Sequence, residues 1–226
     1  MNSNNSINRT NNINSINDMK VLTIASQKGG CGKSTLAIHI AVMAEQQGLE
    51  VIVADLDPNS QTSAEWASER TSQTPIVVRA HTDDIKDLKN QAQDEGFHLL
   101  ILDCPPYIDK VVMNATKIAD YTLIPSQPRF ADLRTLPRVI ENVDPPYSVI
   151  LNACTPGLSG QESSKTREAR LILKQENIPT SNISIVRREA YSDALNGGEA
   201  VIEFQSQGKA AKEISNLWSW LQEELI

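Results

Sequence analysis

The chain has 226 residues, 40% of them hydrophobic and 22% charged. That balance is ordinary for a globular α/β protein and long enough for one domain with a sizeable core. A net charge of −7 argues against a nucleic-acid binder that works by whole-body attraction, and leaves a local basic patch open. No apolar run reaches the length of a bilayer span, and no charged start followed by an apolar stretch marks a signal peptide. Cys31, Cys104 and Cys154 are odd in number and far apart. They suggest neither a metal pattern nor a disulfide framework, so a reducing cytoplasm is expected.

Residues 1–18 are mostly Asn and Ser, with scattered Ile and no period. Such a segment buries too little to offset its ordering entropy and is expected to be a disordered tail. Met19 is a candidate alternative start, and residues 19–226 are expected to form one domain. From there short apolar runs alternate with helical patterns. Strands are expected at Val21–Ala25, Val51–Asp55, Ile76–Arg79, Leu99–Asp103, Tyr121–Pro125, Ser148–Asn152 and Ile183–Val186. Helices are expected at Lys33–Gln47, Thr62–Arg70, Asp83–Glu95, Lys110–Ala119, Leu133–Asn142, Glu162–Glu176 and Lys209–Glu224, with a short helical turn at Asp193–Leu195. This order predicts a doubly wound, mainly parallel sheet with helices on both faces. In such sheets ligands bind beyond the carboxyl ends of the strands.

Three of those strand ends carry chemistry. The first runs into ASQKGGCGKST at 25–35 and then a helix, the context of a phosphate-binding loop. Gly29, Gly30 and Gly32 let the backbone turn its N–H groups toward a phosphate, and Cys31 and Thr35 share that loop. Lys33 is placed to reach the β- and γ-phosphates of ATP, and the Ser34 hydroxyl to ligate Mg²⁺. The strict pattern is broken at Gln27, which stands where the leading Gly belongs, and an extra lysine, Lys28, follows. The second strand ends in Asp55 and Asp57, expected on one side of the strand. One suits a magnesium-bound water and the other an attacking water. The strand Leu99–Asp103 is four apolar residues and an acid, the Walker B form. Its Cys-Pro-Pro sequel makes a stiff loop suited to sensing a γ-phosphate.

Together, KGGCGKST at 28–35, DLDP at 55–58 and ILDCPP at 101–106 resemble the deviant Walker A ATPases of the ParA/MinD group. The likeness is nearest to the small ParA plasmid-partition proteins. ADYTLIPSQP at 119–128, ILNA at 150–153 and ISIVRREAYSDALNGGEAVIE at 183–203 support it more weakly. The resemblance implies an Mg²⁺-dependent ATPase that forms a homodimer around ATP, with Lys28 crossing to the partner's nucleotide. It implies that Asp57 orients the attacking water, Asp55 sits on a magnesium-bound water, and Asp103 is the Walker B acid. Asn152 resembles the residue that hydrogen-bonds the adenine edge. Asn59 departs from the Gln that many ParA proteins carry after Asp-Pro.

The resemblance also implies nonspecific DNA binding in the ATP state, nucleoid association and an activator of ParB type. Basic residues gather late in the chain, and Arg187 and Arg188 are the expected DNA contacts. The alternative is MinD-like positioning on a membrane or protein surface. The last helix ends in Glu223 and Glu224, which anionic lipid repels, so a membrane role is not expected. An iron–sulfur reductase of the same group needs a second cysteine that this chain lacks where that family places it.

Overall fold

The computed structural model describes residues 18–158 and 160–225. The expected tail at 1–18 therefore lies outside the described residues except for Asp18. The chain runs β1 (Lys20–Ile24), α1 (Lys33–Gln46), β2 (Val51–Asp55), α2 (Thr62–Glu69), β3 (Ile76–Arg79), α3 (Ile85–Asp94), β4 (Leu99–Asp103), α4 (Lys110–Ile118) and β5 (Tyr121–Ser126). It continues through α5 (Phe130–Leu133), α6 (Leu136–Ile140), β6 (Tyr147–Cys154), α7 (Ser164–Gln175), β7 (Thr180–Val186), α8 (Glu189–Asn196), α9 (Val201–Phe204) and α10 (Lys209–Glu224). The strands form one parallel sheet in the order β3-β2-β4-β1-β5-β6-β7.

The central strands are buried along their whole length, which is why VIVAD and LLILD read as unbroken apolar runs. Their pleat sends alternate side chains to opposite layers. Leu99 and Ile101 join Leu22, Val53 and Leu123 under α1 and α10. Leu100 and Leu102 join Val21, Ile52 and Val112 under α3 and α4. A third cluster packs Ile124, Val149 and Leu151 against Leu136, Val139 and Leu173. Helix α1 is buried on nearly every side from Leu36 to Ala44, so it shows little amphipathic period. The apolar face of α10, with Ile214, Leu217, Trp218 and Leu221, is wholly inside, and Trp218 donates its indole N–H to Gln47 Oε1 at 2.9 Å. Among the described residues no helix is long and apolar enough to cross a membrane.

Most expected elements are present within a few residues. The helix expected over Leu133–Asn142 is instead two short ones, α5 and α6. Pro137 has no N–H to return to Leu133, and its ring crowds that carbonyl, so the helix cannot run through. The turn expected at Asp193–Leu195 is a full helix, α8, and α9 has no counterpart in the sequence reading. Strand β7 starts at Thr180, three polar residues earlier than its apolar run. It lies at the sheet edge, where packing demands less of both faces.

Register places the functional residues. In the parallel ladder Asp55 of β2 pairs with Asp103 of β4, and Asp103 pairs with Ile24 of β1. Both carboxylates and the start of the Gly-rich loop therefore meet at one carboxyl edge.

Candidate nucleotide-binding site

The loop between β1 and α1 is built around two left-handed glycines, Gly30 at φ 69 and Gly32 at φ 94. A Cβ on Gly32 would also lie 2.2 Å from Asn152 Nδ2, so space and dihedral both require glycine there. Among the described residues, no backbone N–H from Gly29 to Thr35 is donated to a protein acceptor. Consecutive free N–H groups at a helix N-terminus make an anion nest. Lys33 is only 7% exposed and donates Nζ to the Lys28 carbonyl at 3.3 Å. A buried ammonium with one neutral acceptor is poised for an anion.

The carboxylates sit on the other side of the loop. Asp103 is 1% exposed, and burial pushes its carboxyl up to about 7. Ser63 Oγ donates to its Oδ2 at 2.7 Å, while Oδ1 is buried with no partner among the described residues. Ser34 lies near enough to favour the charged form, although no hydrogen bond of ordinary geometry joins them. Asp55 accepts from Asp57 N–H and Ala64 N–H, both at 3.1 Å, and burial raises its carboxyl above the usual aspartate range. Asp57 lies beyond the strand, close enough for its charge to raise the Asp55 carboxyl further. Strand β2 stops at Asp55, and Asp57 Oδ1 turns back to accept from Asn59 N–H at 2.9 Å and Ser60 N–H at 3.3 Å.

This donor set fits a nucleotide with Mg²⁺. Among the described residues no three His, Cys, Asp or Glu side chains converge as a metal cage. Mg²⁺ at such a site needs few protein ligands, because phosphates and waters complete its octahedron. Ser34 would offer a hydroxyl to the metal, and the Asp103 oxygen without a partner among the described residues and Asp55 would offer acceptors for metal-bound water.

Other expected residues are placed differently. Asn152 lies within the register shift between Leu151 and Cys154 in the β6–β7 ladder, with Ala153 at φ 50. Its Nδ2 donates to the Cys31 carbonyl at 2.7 Å, so it braces the loop backbone here rather than facing an adenine edge. Arg187 is exposed and lines a cleft of about 340 Å³ with Arg129, Lys165, Thr155 and Pro156. Arg188 is turned inward. Its guanidinium pairs with Glu213, which also accepts from Tyr191 OH and Val186 N–H. Arg188, the other expected DNA contact, thus joins β7 and α8 to α10 while its side chain stays 25% exposed.

Three residues at the site escaped the sequence reading. Ser63 holds Asp103, Gln127 donates Nε2 to the Gly30 carbonyl at 3.0 Å, and Asp132 forms an ion pair with Lys28. Only Gln127 stood in a segment already singled out, PSQP.

Residues 22–201 match the family described as the CobQ/CobB/MinD/ParA nucleotide binding domain. The chain belongs to this family. It is 28% identical over 207 residues to the Maintenance of carboxysome distribution protein A of Halothiobacillus neapolitanus, covering 86% of this chain and 92% of that protein. It is 26% identical over 213 residues to Protein ParA of Rhizobium radiobacter, covering 88% and 92%. Among solved structures, apo McdA of Cyanothece superposes with a TM-score of 0.73 at 19% identity, over 92% of this chain and 100% of that one. At that identity the likeness speaks for the fold, which is the P-loop α/β fold of ParA/MinD proteins.

Proposed function

We propose that this chain is an Mg²⁺-dependent ATPase that works as a positioning switch. It dimerises face to face around ATP, holds nonspecific DNA while dimeric, and lets go after hydrolysis. The observation that carries the reading is the nest of unpaired loop N–H groups with the nearly buried Lys33, set opposite the unpartnered oxygen of Asp103. The nest and Lys33 hold the phosphates, Ser34 ligates the metal, and Asp55 and Asp103 accept from its waters. Mg²⁺ supplies charge neutralisation of the phosphates when bound. Asp57 turns from its two backbone donors to orient the attacking water.

Lys33 meets the phosphates from within its own loop. The second lysine, Lys28, has no role there and is assigned to the partner's nucleotide, as a cation supplied in trans. ADP lacks the γ-phosphate that both lysines share, so nucleotide state sets oligomeric state. Asn152 moves from the Cys31 carbonyl to the adenine when the nucleotide enters. The cleft with Arg129, Lys165 and Arg187 offers three cations without an ion-pair partner among the described residues. A dimer doubles that surface, which overcomes the chain's negative net charge locally.

The named relatives act in carboxysome distribution and as ParA. The cargo proposed here is accordingly a plasmid or another large body positioned over the nucleoid in the cytoplasm. A partner of ParB type accelerates hydrolysis. The single domain at 19–226 suffices for this cycle, and the tail at 1–18 is left out of it. The buried apolar face of α10 supports no membrane anchor.

The test is binding to nonspecific duplex DNA with ATP, with ADP and without nucleotide, at low and moderate salt. Binding seen with ATP alone and weakened by salt supports the proposal. No binding in any state refutes its DNA component and moves the surface to a protein or lipid.

A further inference from the structure

Lys28 has a partner within its own chain. Its Nζ forms an ion pair with Asp132 of α5, the lysine side chain being 39% exposed and the aspartate 12%. Among the described residues, no other cation lies within ion-pair distance of Asp132. The same segment touches the loop a second time through Gln127 and the Gly30 carbonyl. Lys33 Nζ, in turn, is held by the carbonyl of Lys28 itself. Both lysines and the segment 127–134 thus form one connected set around the nest.

We infer that Asp132 is a positioning residue for Lys28, an internal counter-ion that keeps this lysine on its own subunit until a partner's nucleotide displaces it. The inference rests on the trans role of Lys28 proposed above. A ligand shifts an equilibrium only by its preference for one state over the other. A free Lys28 would give any anion on the facing subunit nearly the full attraction. With Asp132 in place, the lysine exchanges one charge pair for another, and only the surplus favours the dimer. A triphosphate carries more charge than one carboxylate and supplies that surplus; a diphosphate supplies less. Phosphates that draw Lys33 into the nest also remove its bond to the Lys28 backbone, which loosens the residue Asp132 restrains. Asp132 therefore raises the dimerisation threshold by the same factor for both nucleotides, a threshold that ATP clears and ADP does not. Phe130, 71% exposed with the Arg134 guanidinium 5.5 Å from its ring centre, lies on the same segment.

The experiment uses the full chain and follows its mass by light scattering as ATP or ADP is raised. Asp132→Asn is expected to reach half-dimerisation at about two- to fivefold lower ATP, the range of a partly exposed ion pair. It is also expected to form some dimer with ADP. Asp132→Glu, which keeps the charge, is expected to hold the wild-type threshold, and the melting temperatures of both variants check that the fold survives. An Asp132→Asn threshold that is unchanged or higher overturns the inference, as does equal behaviour of the Asn and Glu variants. If Lys28→Ala is monomeric with ATP while Asp132→Asn changes nothing, only this inference falls. If Lys28→Ala still dimerises, the trans-lysine reading falls and takes the inference with it.

Discussion

Replacing Asp103 by asparagine removes an ionisable group and keeps the shape of the side chain. In the folded chain the Asp103 carboxyl is pushed up to about 7 from an ordinary 3.8, chiefly because it is buried. Ser63 Oγ and the Lys33 charge act in the other direction without cancelling that cost. The folded state therefore keeps a proton at pH 5 that the unfolded chain has already lost. A raised folded value gives stability that is present at pH 5 and lost as the pH rises through about 7. Linkage over pH 5 to 8 puts the loss at about 2.5 kcal/mol for this one group. Asp103→Asn has no such loss. The difference in stability between variant and wild type should move by that amount in the variant's favour from pH 5 to pH 8. Urea unfolding of both proteins in EDTA, without nucleotide, measures it, and every group the two proteins share drops out of the difference. An equal difference at the two pH values, or one growing toward the wild type, would refute the reasoning. The same variant should gain less stability from ATP with Mg²⁺, since a neutral amide is a poorer acceptor for metal-bound water. A charge held at a stability cost is what a site built to meet a cation looks like.

The other predictions test separate parts of the account. His39 is fully buried, and burial lowers its imidazole to about 3 from 6.5. The unfolded chain alone binds that proton as pH falls below 6.5, so His39 should cost about 2 kcal/mol between pH 7 and 5; His39→Gln should flatten that slope in urea unfolding. Lys33→Ala should lose nucleotide binding by calorimetry. Asp57→Ala should bind ATP and remain a dimer that does not turn over, seen as a persistent doubled mass with no phosphate release. Arg188→Ala should destabilise the fold by about 1–3 kcal/mol, because Glu213 is left part-buried without its cation. Arg187→Ala should leave stability within about 0.5 kcal/mol and lower the salt slope of DNA binding by about one.

Much of this fold was legible because its central strands are covered on both faces. VIVAD and LLILD, short β-branched or aliphatic runs between helical patterns, read as buried parallel strands, and each ends in the acid that the register then pairs. The Gly-rich loop was legible for a conformational reason: Gly30 and Gly32 both take left-handed φ, and at Gly32 a Cβ would also clash with Asn152. What the sequence hid was side-chain direction at strand ends and edges. Spacing two kept Asp57 near Asp55, but alternation ends with the strand, and Asp57 folds into its own turn. Arg187 and Arg188 look alike in a string. Glu213, distant in sequence, claims one of them and leaves the other at the cleft. Ser63 and Asp132 carry no motif at all. They matter because packing brings them to Asp103 and Lys28, and no local pattern encodes such a meeting.

The central claim is that ATP joins two copies through Lys28. The measurement that bears on it most directly is the light-scattering mass of the wild type and of Lys28→Ala with ATP and with ADP, both proteins first shown to bind ATP. The account predicts a doubled mass for the wild type with ATP alone, and a single-chain mass for Lys28→Ala in every condition. A wild type that stays monomeric with ATP, or a Lys28→Ala protein that doubles with it, would contradict the account.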